Sequence, residues 1–191
     1  LPGTLNPICA LKSIEVVNLS TNILSGSISD AIGSLATLQQ LFLSDNKLTG
    51  PIPGSFSSLR ELSVLCLNGN SLSGVLPSGL GSLAKLRVLA LQDNKLKGDL
   101  PDLRGLTALR TLDLSRNRFQ GDAPSLLTLS ALRVLACQGY ARGKRGLSGG
   151  LQRLLSTKIS GSEADLVRLD LSGHSLEGAL PLGLRGLHLL E

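Results

Sequence analysis

The sequence predicts a solenoid, a stack of short coils that each give one strand to a shared parallel sheet. Three observations carry that prediction. The pattern L-x-x-L-x-L-x-x-N-x-L-x-G-x-[IL]-P spans residues 38–53 and returns over 62–77, 86–101 and, slightly altered, 109–124. Asparagines fall at Asn22, Asn46, Asn70, Asn94 and Asn117, with spacings of 24, 24, 24 and 23 residues, and a fixed period in that range marks a repeat architecture. Leucine makes up about a quarter of the 191 residues, while Phe42, Phe56, Phe119 and Tyr140 are the only aromatics. That composition suits a core laddered from one residue type.

Each coil reads in order as strand, turn, bend and outer crossing. In L-x-L (Leu41 and Leu43, Leu65 and Leu67, Leu89 and Leu91, Leu112 and Leu114) leucines alternate with other residues, the period of a strand with one face buried. A repeat this short cannot bury its own leucines. It must stack on a neighbour, so successive strands pair in parallel at about 4.8 Å. Asparagine follows where the chain turns inward, and its amide both donates and accepts, satisfying backbone groups that the turn leaves open. Glycine at Gly26, Gly50, Gly74, Gly98, Gly121, Gly149 and Gly178 is expected at a bend that a side chain would crowd. Proline at Pro53, Pro77, Pro101, Pro124 and Pro181 holds an extended approach to the outer crossing.

These residues resemble the leucine-rich repeat family across essentially the whole chain, and the L-x-G-x-[IL]-P extension resembles its plant-type repeats. The resemblance implies an α/β solenoid, a right-handed superhelix with a parallel β-sheet on the concave face and 3₁₀ or short helical turns on the convex face. It also implies a non-catalytic module that recognises a peptide or protein. Its implied homes are receptor-like kinase or receptor-like protein ectodomains acting in signal transduction, and inhibitors of cell-wall enzymes.

A single domain over 1–191 is expected, with about seven repeats, because a solenoid has one continuous core whatever its length. Both ends read as truncated. Leu1-Pro2 matches the end of an earlier repeat, and 181–190 stops where another strand is due. No apolar run approaches the roughly 20 residues of a membrane span, and no basic-then-apolar leader opens the chain. Cys9, Cys66 and Cys137 have no spacing that suits a cap disulfide or a zinc site. Cys137 takes a leucine slot and should be buried. One glycosylation sequon, Asn18-Leu19-Ser20, agrees with an extracellular or cell-surface glycoprotein, whereas the odd cysteine count leaves an intracellular compartment open.

Along the chain, 1–13 is an outer segment with roughly three extra residues, and the first strand is expected over 17–19. After Asn94 and again after Asn117 the outer side loses one residue, a change the sheet register should survive. The sixth repeat departs from the pattern. Tyr140 takes the asparagine slot, His174 takes the next one, and an irregular insertion lies near 141–164. Tyrosine cannot reproduce the amide pairing, so that turn should bulge. Leu151, Leu154, Leu155 and Ile159 recur at helical spacing and predict a short outer helix. Residues 139–144 superficially resemble a phosphate loop. They have three residues between the glycines, with Arg145 where Ser or Thr is needed, and that reading is rejected.

Catalysis has little to rest on. His174 sits in a ladder slot and His188 in an outer segment, and no carboxylate pair or metal-ligand cluster falls on one surface. No cofactor is implied, although a kinase domain outside this sequence is compatible with the resemblance. The open face of the sheet is the better site. Its central column reads Asn18, Phe42, Cys66, Ala90, Asp113, Ala136, Asp170, and the column after it runs from Ser20 and Ser44 to Ser172. A third, placed before L-x-L, reads Glu15, Gln39, Ser63, Arg87, Arg110, Arg133, Val167. Three arginines on consecutive strands could clamp a carboxylate, phosphate or sulfate. Phe42, Arg87, Arg110, Asp113 and Arg133 are therefore the candidate ligand contacts, with Arg142, Lys144 and Arg145 at the rim. Residues 103–160 carry ten basic residues and two acids, whereas the rest of the chain has a net charge of −3. That asymmetry favours an acidic peptide or protein partner. Nucleic acid is disfavoured, because the patch has no aromatic besides Tyr140 and no recognition motif. Two other readings compete: an assembly scaffold without a dedicated ligand, and an intracellular regulatory array.

Overall fold

A computed structural model describes residues 5–122, 126, 129–139, 147–148, 166–170 and 172. Each of the first four coils gives a strand to each of two sheets: β1 (Val16–Asn18) and β2 (Ser25–Ser27), β3 (Gln40–Phe42) and β4 (Lys47–Gly50), β5 (Val64–Cys66) and β6 (Ser71–Gly74), β7 (Val88–Ala90) and β8 (Lys95–Gly98). There follow β9 (Thr111–Asp113), β10 (Arg118–Phe119), β11 (Gly121–Asp122), β12 (Val134–Ala136), β13 (Leu147–Ser148) and β14 (Arg168–Asp170). The main sheet has seven parallel strands in the order β1-β3-β5-β7-β9-β12-β14. Its register sets Val17, Leu41, Leu65, Leu89, Leu112, Leu135 and Leu169 side by side. The first strand sits one residue earlier than expected. The register survives both the shortened coils and the insertion, as expected from the alternation alone.

The leucines of the L-x-L pairs turn inward and join one core, and Leu41, Leu43, Leu65, Leu67, Leu89 and Leu91 are fully buried. Outside, the segments Asn6–Ala10, Asp30–Ser34, Gly54–Ser58 and Ser78–Ser82 form single 3₁₀ turns. Five residues are too few for a stable α-helix, and i→i+3 bonding closes a turn in less chain. Pro53 (φ −62°, ψ 142°) and Pro77 (φ −64°, ψ 137°) set the extended approach to two of them. In the first coil Ser29 takes the same place, its Oγ accepting from the Ala31 N–H at 3.2 Å. Phe56 and Leu80 are driven inward from these turns. After Pro101, where a residue is missing, a bare turn with Leu106 N–H bonded to Leu103 O at 2.9 Å replaces the 3₁₀ segment.

Two features were not expected. A second parallel sheet, ordered β10-β8-β6-β4-β2, runs beside the asparagine turns, and β11 pairs with β13. Its sequence signal is the N-x-L-x-G segment, where Leu48, Leu72 and Leu96 point inward between exposed or half-buried neighbours. The glycine column also has a different cause. Gly26, Gly50, Gly74 and Gly98 have φ of +80°, +77°, +81° and +82°, a region that penalises any side chain. A Cβ on Gly26 would meet nothing within 4 Å, so crowding is not the rule there. Gly98 does approach Val75 Cγ1, at 2.9 Å from a built Cβ.

The asparagines form the expected amide ladder. Asn70 Nδ2 donates to Leu67 O in its own coil at 3.0 Å and to Leu43 O in the coil before at 2.9 Å. Its Oδ1 accepts from the Leu48 N–H at 3.0 Å, just where β4 passes. Asn46, Asn94 and Asn117 repeat the arrangement, with Oδ1 accepting from Leu24, Leu72 and Leu96. Asn94 and Asn117 are only 3% and 5% exposed. Among the described residues, the side chain of Asn22, in the first coil, bonds only Leu19 O and Ser20 O. Tyr140, the predicted bulge and outer helix, His174 and His188 all lie outside the described residues.

Replacing Asn70 with Leu leaves a donor and acceptors of two coils unpaired inside the stack. Urea unfolding should show a loss of about 1–3 kcal/mol, whereas Asn22→Leu, with fewer and exposed bonds, should lose less. Gly26→Ala isolates the cost of the left-handed backbone, because the new methyl meets nothing; it should cost about 1–2 kcal/mol, while Gly54→Ala, also unhindered but at an ordinary φ, should cost little. Equal effects for the two glycines would reject the left-handed explanation.

Candidate functional site

The open face of the main sheet is built by alternation. With Leu41 inward, Gln40 and Phe42 face out, and every other strand repeats this in register. The central column is as expected: Asn18, Phe42, Cys66, Ala90, Asp113, Ala136 and Asp170 are consecutive Cα partners. A second facing column was not expected. Val16, Gln40, Val64, Val88, Thr111, Val134 and Arg168 lie in register just before the inward residue. The arginines stand two positions before that residue, not one, and so fall outside this column. Phe42, Val64, Cys66, Val88 and Ala90 together make a half-buried apolar floor across three strands.

Arg87, Arg110 and Arg133 are brought onto consecutive coils, but one residue outside the strands, along the leading edge of the sheet. Each backbone N–H at this position donates to the carbonyl of the same position one coil earlier: Arg87 to Ser63 at 2.8 Å, Arg110 to Arg87 at 2.8 Å, Arg133 to Arg110 at 2.8 Å. All three side chains are exposed. Neither Arg87 nor Arg110 forms an ion pair among the described residues. The ion pairs found there are Lys85–Glu61 at 2.5 Å, Arg104–Asp102 at 2.6 Å and Arg116–Asp93 at 3.2 Å, all exposed and worth little to stability. Hydrogen bonds from Arg104 hold the Asp102 carboxyl down at about 2.

Asp113 is occupied locally. Its Oδ1 accepts the Ser115 N–H at 2.9 Å, a turn that Asp170 repeats with Ser172 at 3.1 Å and Asn18 with Ser20 at 3.1 Å. The far edge of the face is polar. Ser44 Oγ donates to Asn68 Oδ1 at 2.6 Å, and Gln138 N–H to Ser115 Oγ at 3.1 Å. Between them Gln92 Oε1 is buried and has no hydrogen-bond partner among the described residues. Arg142, Lys144 and Arg145 lie outside the described residues.

None of the three cysteines forms a disulfide among the described residues. Cys137 is buried as expected, and Cys9 is buried too, within the first 3₁₀ turn. Burial pushes all three thiols up; for Cys137 the nearby Asp113 and Asp170 add to the rise. Among the described residues no group of His, Cys, Asp and Glu is placed to hold a metal ion, and no helix is long and apolar enough to cross a membrane.

Stacked coils with parallel sheets, short 3₁₀ crossings and one open ribbed face define a scaffold of the solenoid class. Two models of leucine rich repeats match the chain, one over residues 84–126 and one over 37–59 and 61–83. The chain is similar to the ectodomain of the Arabidopsis receptor kinase HAESA in complex with an N-terminally extended IDA peptide hormone, at TM-score 0.81 and 34% identity, covering 95% of this chain and 29% of that one. A PEPR1–AtPEP1 complex gives TM-score 0.78 and 32% identity, covering 93% and 24%. The ectodomain of the receptor kinase SOBIR1 from Arabidopsis thaliana gives 0.61 and 36%, covering 64% and 67%. No curated protein matches. The chain belongs to the leucine-rich repeat family, with repeats of the plant type. It spans about a quarter of the length of the PEPR1 and HAESA chains.

A raised thiol pKa keeps sulfur protonated and unreactive at neutral pH. With a disulfide reagent at pH 8, the native chain should show no fast-reacting thiol. Cys66, half-buried on the open face, should react before Cys9 and Cys137, which should wait for unfolding. Immediate labelling of Cys137 would contradict its place in the core.

Proposed function

We propose that the chain is a single repeat domain that recognises a peptide or protein segment without catalysing a reaction, outside the cell or at its surface. The observation that carries this reading is the layered face itself. An apolar floor (Phe42, Val64, Cys66, Val88, Ala90) meets exposed Arg87 at the leading edge of its last strand, Arg110 and Arg133 continue that edge over the next two coils, and the polar column holding Gln92 runs along the other edge. An extended segment laid across the strands meets apolar area over β3, β5 and β7, cations along the leading edge from β7 to β12, and hydrogen-bonding groups along the other edge. The strands hold these groups at fixed spacing, so the scaffold itself loses little freedom on binding. Support also comes from relatives whose structures contain a peptide hormone or the peptide AtPEP1. The cationic flank selects an acidic partner.

Labelled extended peptides of equal length, acidic or neutral, test the reading. The acidic set should bind, more weakly as salt rises. Arg87→Ala with Arg110→Ala should weaken it about tenfold or more, since a charge-assisted bond contributes about 1.5–3 kcal/mol, with the unfolding curve unchanged. No preference for acidic peptides, or a flat alanine scan across the face, would favour a scaffold without a dedicated ligand.

A further inference from the structure

We propose that Asn18 carries an N-linked glycan whose first sugar lies on the ring of Phe42 and covers that part of the open face. The sequon Asn18-Leu19-Ser20 places Asn18 on the exposed side of β1, at the last residue of the strand. Its Oδ1 is engaged by the Ser20 N–H at 3.1 Å, whereas Nδ2, the atom that glycosylation uses, makes no hydrogen bond among the described residues. The turn does not require that nitrogen. Asp113 and Asp170 occupy the same slot and make the same bond to Ser115 and Ser172 with a carboxylate. An amide at position 18 is therefore surplus to the fold.

The neighbour of Asn18 is equally specific. Its Cα partner on the next strand is Phe42, half-buried and the one aromatic of the open face among the described residues. Adjacent strands lie about 4.8 Å apart, so a sugar rooted on Asn18 stands beside the ring, and its C–H face meets the electron-rich face of the aromatic. In the transfer, Nδ2 bonds to the anomeric carbon of an oligosaccharide carried on a lipid pyrophosphate. The anomeric C–O bond breaks, the pyrophosphate leaves with the bonding pair, and Nδ2 gives up one proton. A ligand track closed at Phe42 begins at Val64 and Cys66 and runs toward the arginine edge. This rests on the proposed function in one respect, the passage of the chain through a secretory pathway.

The whole chain behind a secretory leader in insect cells provides the test. Intact mass and peptide mapping should find a glycan on Asn18, absent from both Asn18→Gln and Ser20→Ala. A secreted, cooperatively folded chain with Asn18 unmodified overturns the site and leaves the recognition reading standing. Thermal unfolding then reads the stacking: Phe42→Ala should lower Tm by about 2–4 °C more in the glycosylated chain than in the Ser20→Ala background. Equal shifts in the two backgrounds overturn the contact with Phe42. Peptide binding, titrated on both forms, reports on the recognition face independently of either result.

Discussion

From the second coil to the fifth, one asparagine side chain joins three pieces of backbone that no helix or sheet would otherwise satisfy. Its nitrogen reaches a carbonyl of its own coil and one of the coil before, and its oxygen takes an N–H of the coil before. The bond set is the same in each coil, so the step from one coil to the next is the same as well. Leucines packed behind these amides supply most of the stabilisation, because burying apolar surface gains more than exchanging water for protein hydrogen bonds. The amides decide which stacking of the leucines is allowed, since any other register would leave buried polar groups unpaired.

The uniform step produces the face. Once Leu41, Leu65, Leu89, Leu112 and Leu135 are held in register, every position of the repeat becomes a column across the sheet, and a change of residue along a column becomes a change of surface along the molecule. Apolar residues gather over the second to fourth strands, while Asp113, Arg168 and Asp170 make the later strands charged. Among the described residues, positive φ at positions other than glycine is confined to the turn beside this face. Thr21, Asp45, Asp93 and Arg116 have φ between 51° and 57°, and Gly69 holds the same slot at 66°. Aspartate tolerates that conformation better than threonine or arginine, so the slot is set by the turn that delivers the following asparagine.

Much of the fold was legible because the repeat reports each position several times. Leu41 alone does not say strand; Leu41, Leu65 and Leu89 at equal spacing do. The amide ladder was legible for the same reason. The second sheet was not, because strands of two to four residues carry too little alternation to separate a strand from a turn. The glycine column was visible but its cause was not, since a left-handed backbone and a crowded bend leave the same residue in a sequence. On the face, the central column was legible, whereas its neighbour lay one residue away from the arginines expected there. Period two is unforgiving in this way: a step of one changes a floor position such as Val88 into an edge position such as Arg87.

The sequence by itself determined that the leucines must shelter between coils, which strands pair, and which side chains share a column. Periodicity encodes these, because each follows from counting along the chain. Tertiary structure alone decided what each column does. It set the arginines along an edge with their backbone tied coil to coil, turned Asp113 onto its own Ser115, and left Gln92 Oε1 buried without a partner among the described residues. Those outcomes depend on distances between residues on neighbouring coils, far apart along the chain, and such distances exist only once the coils are stacked.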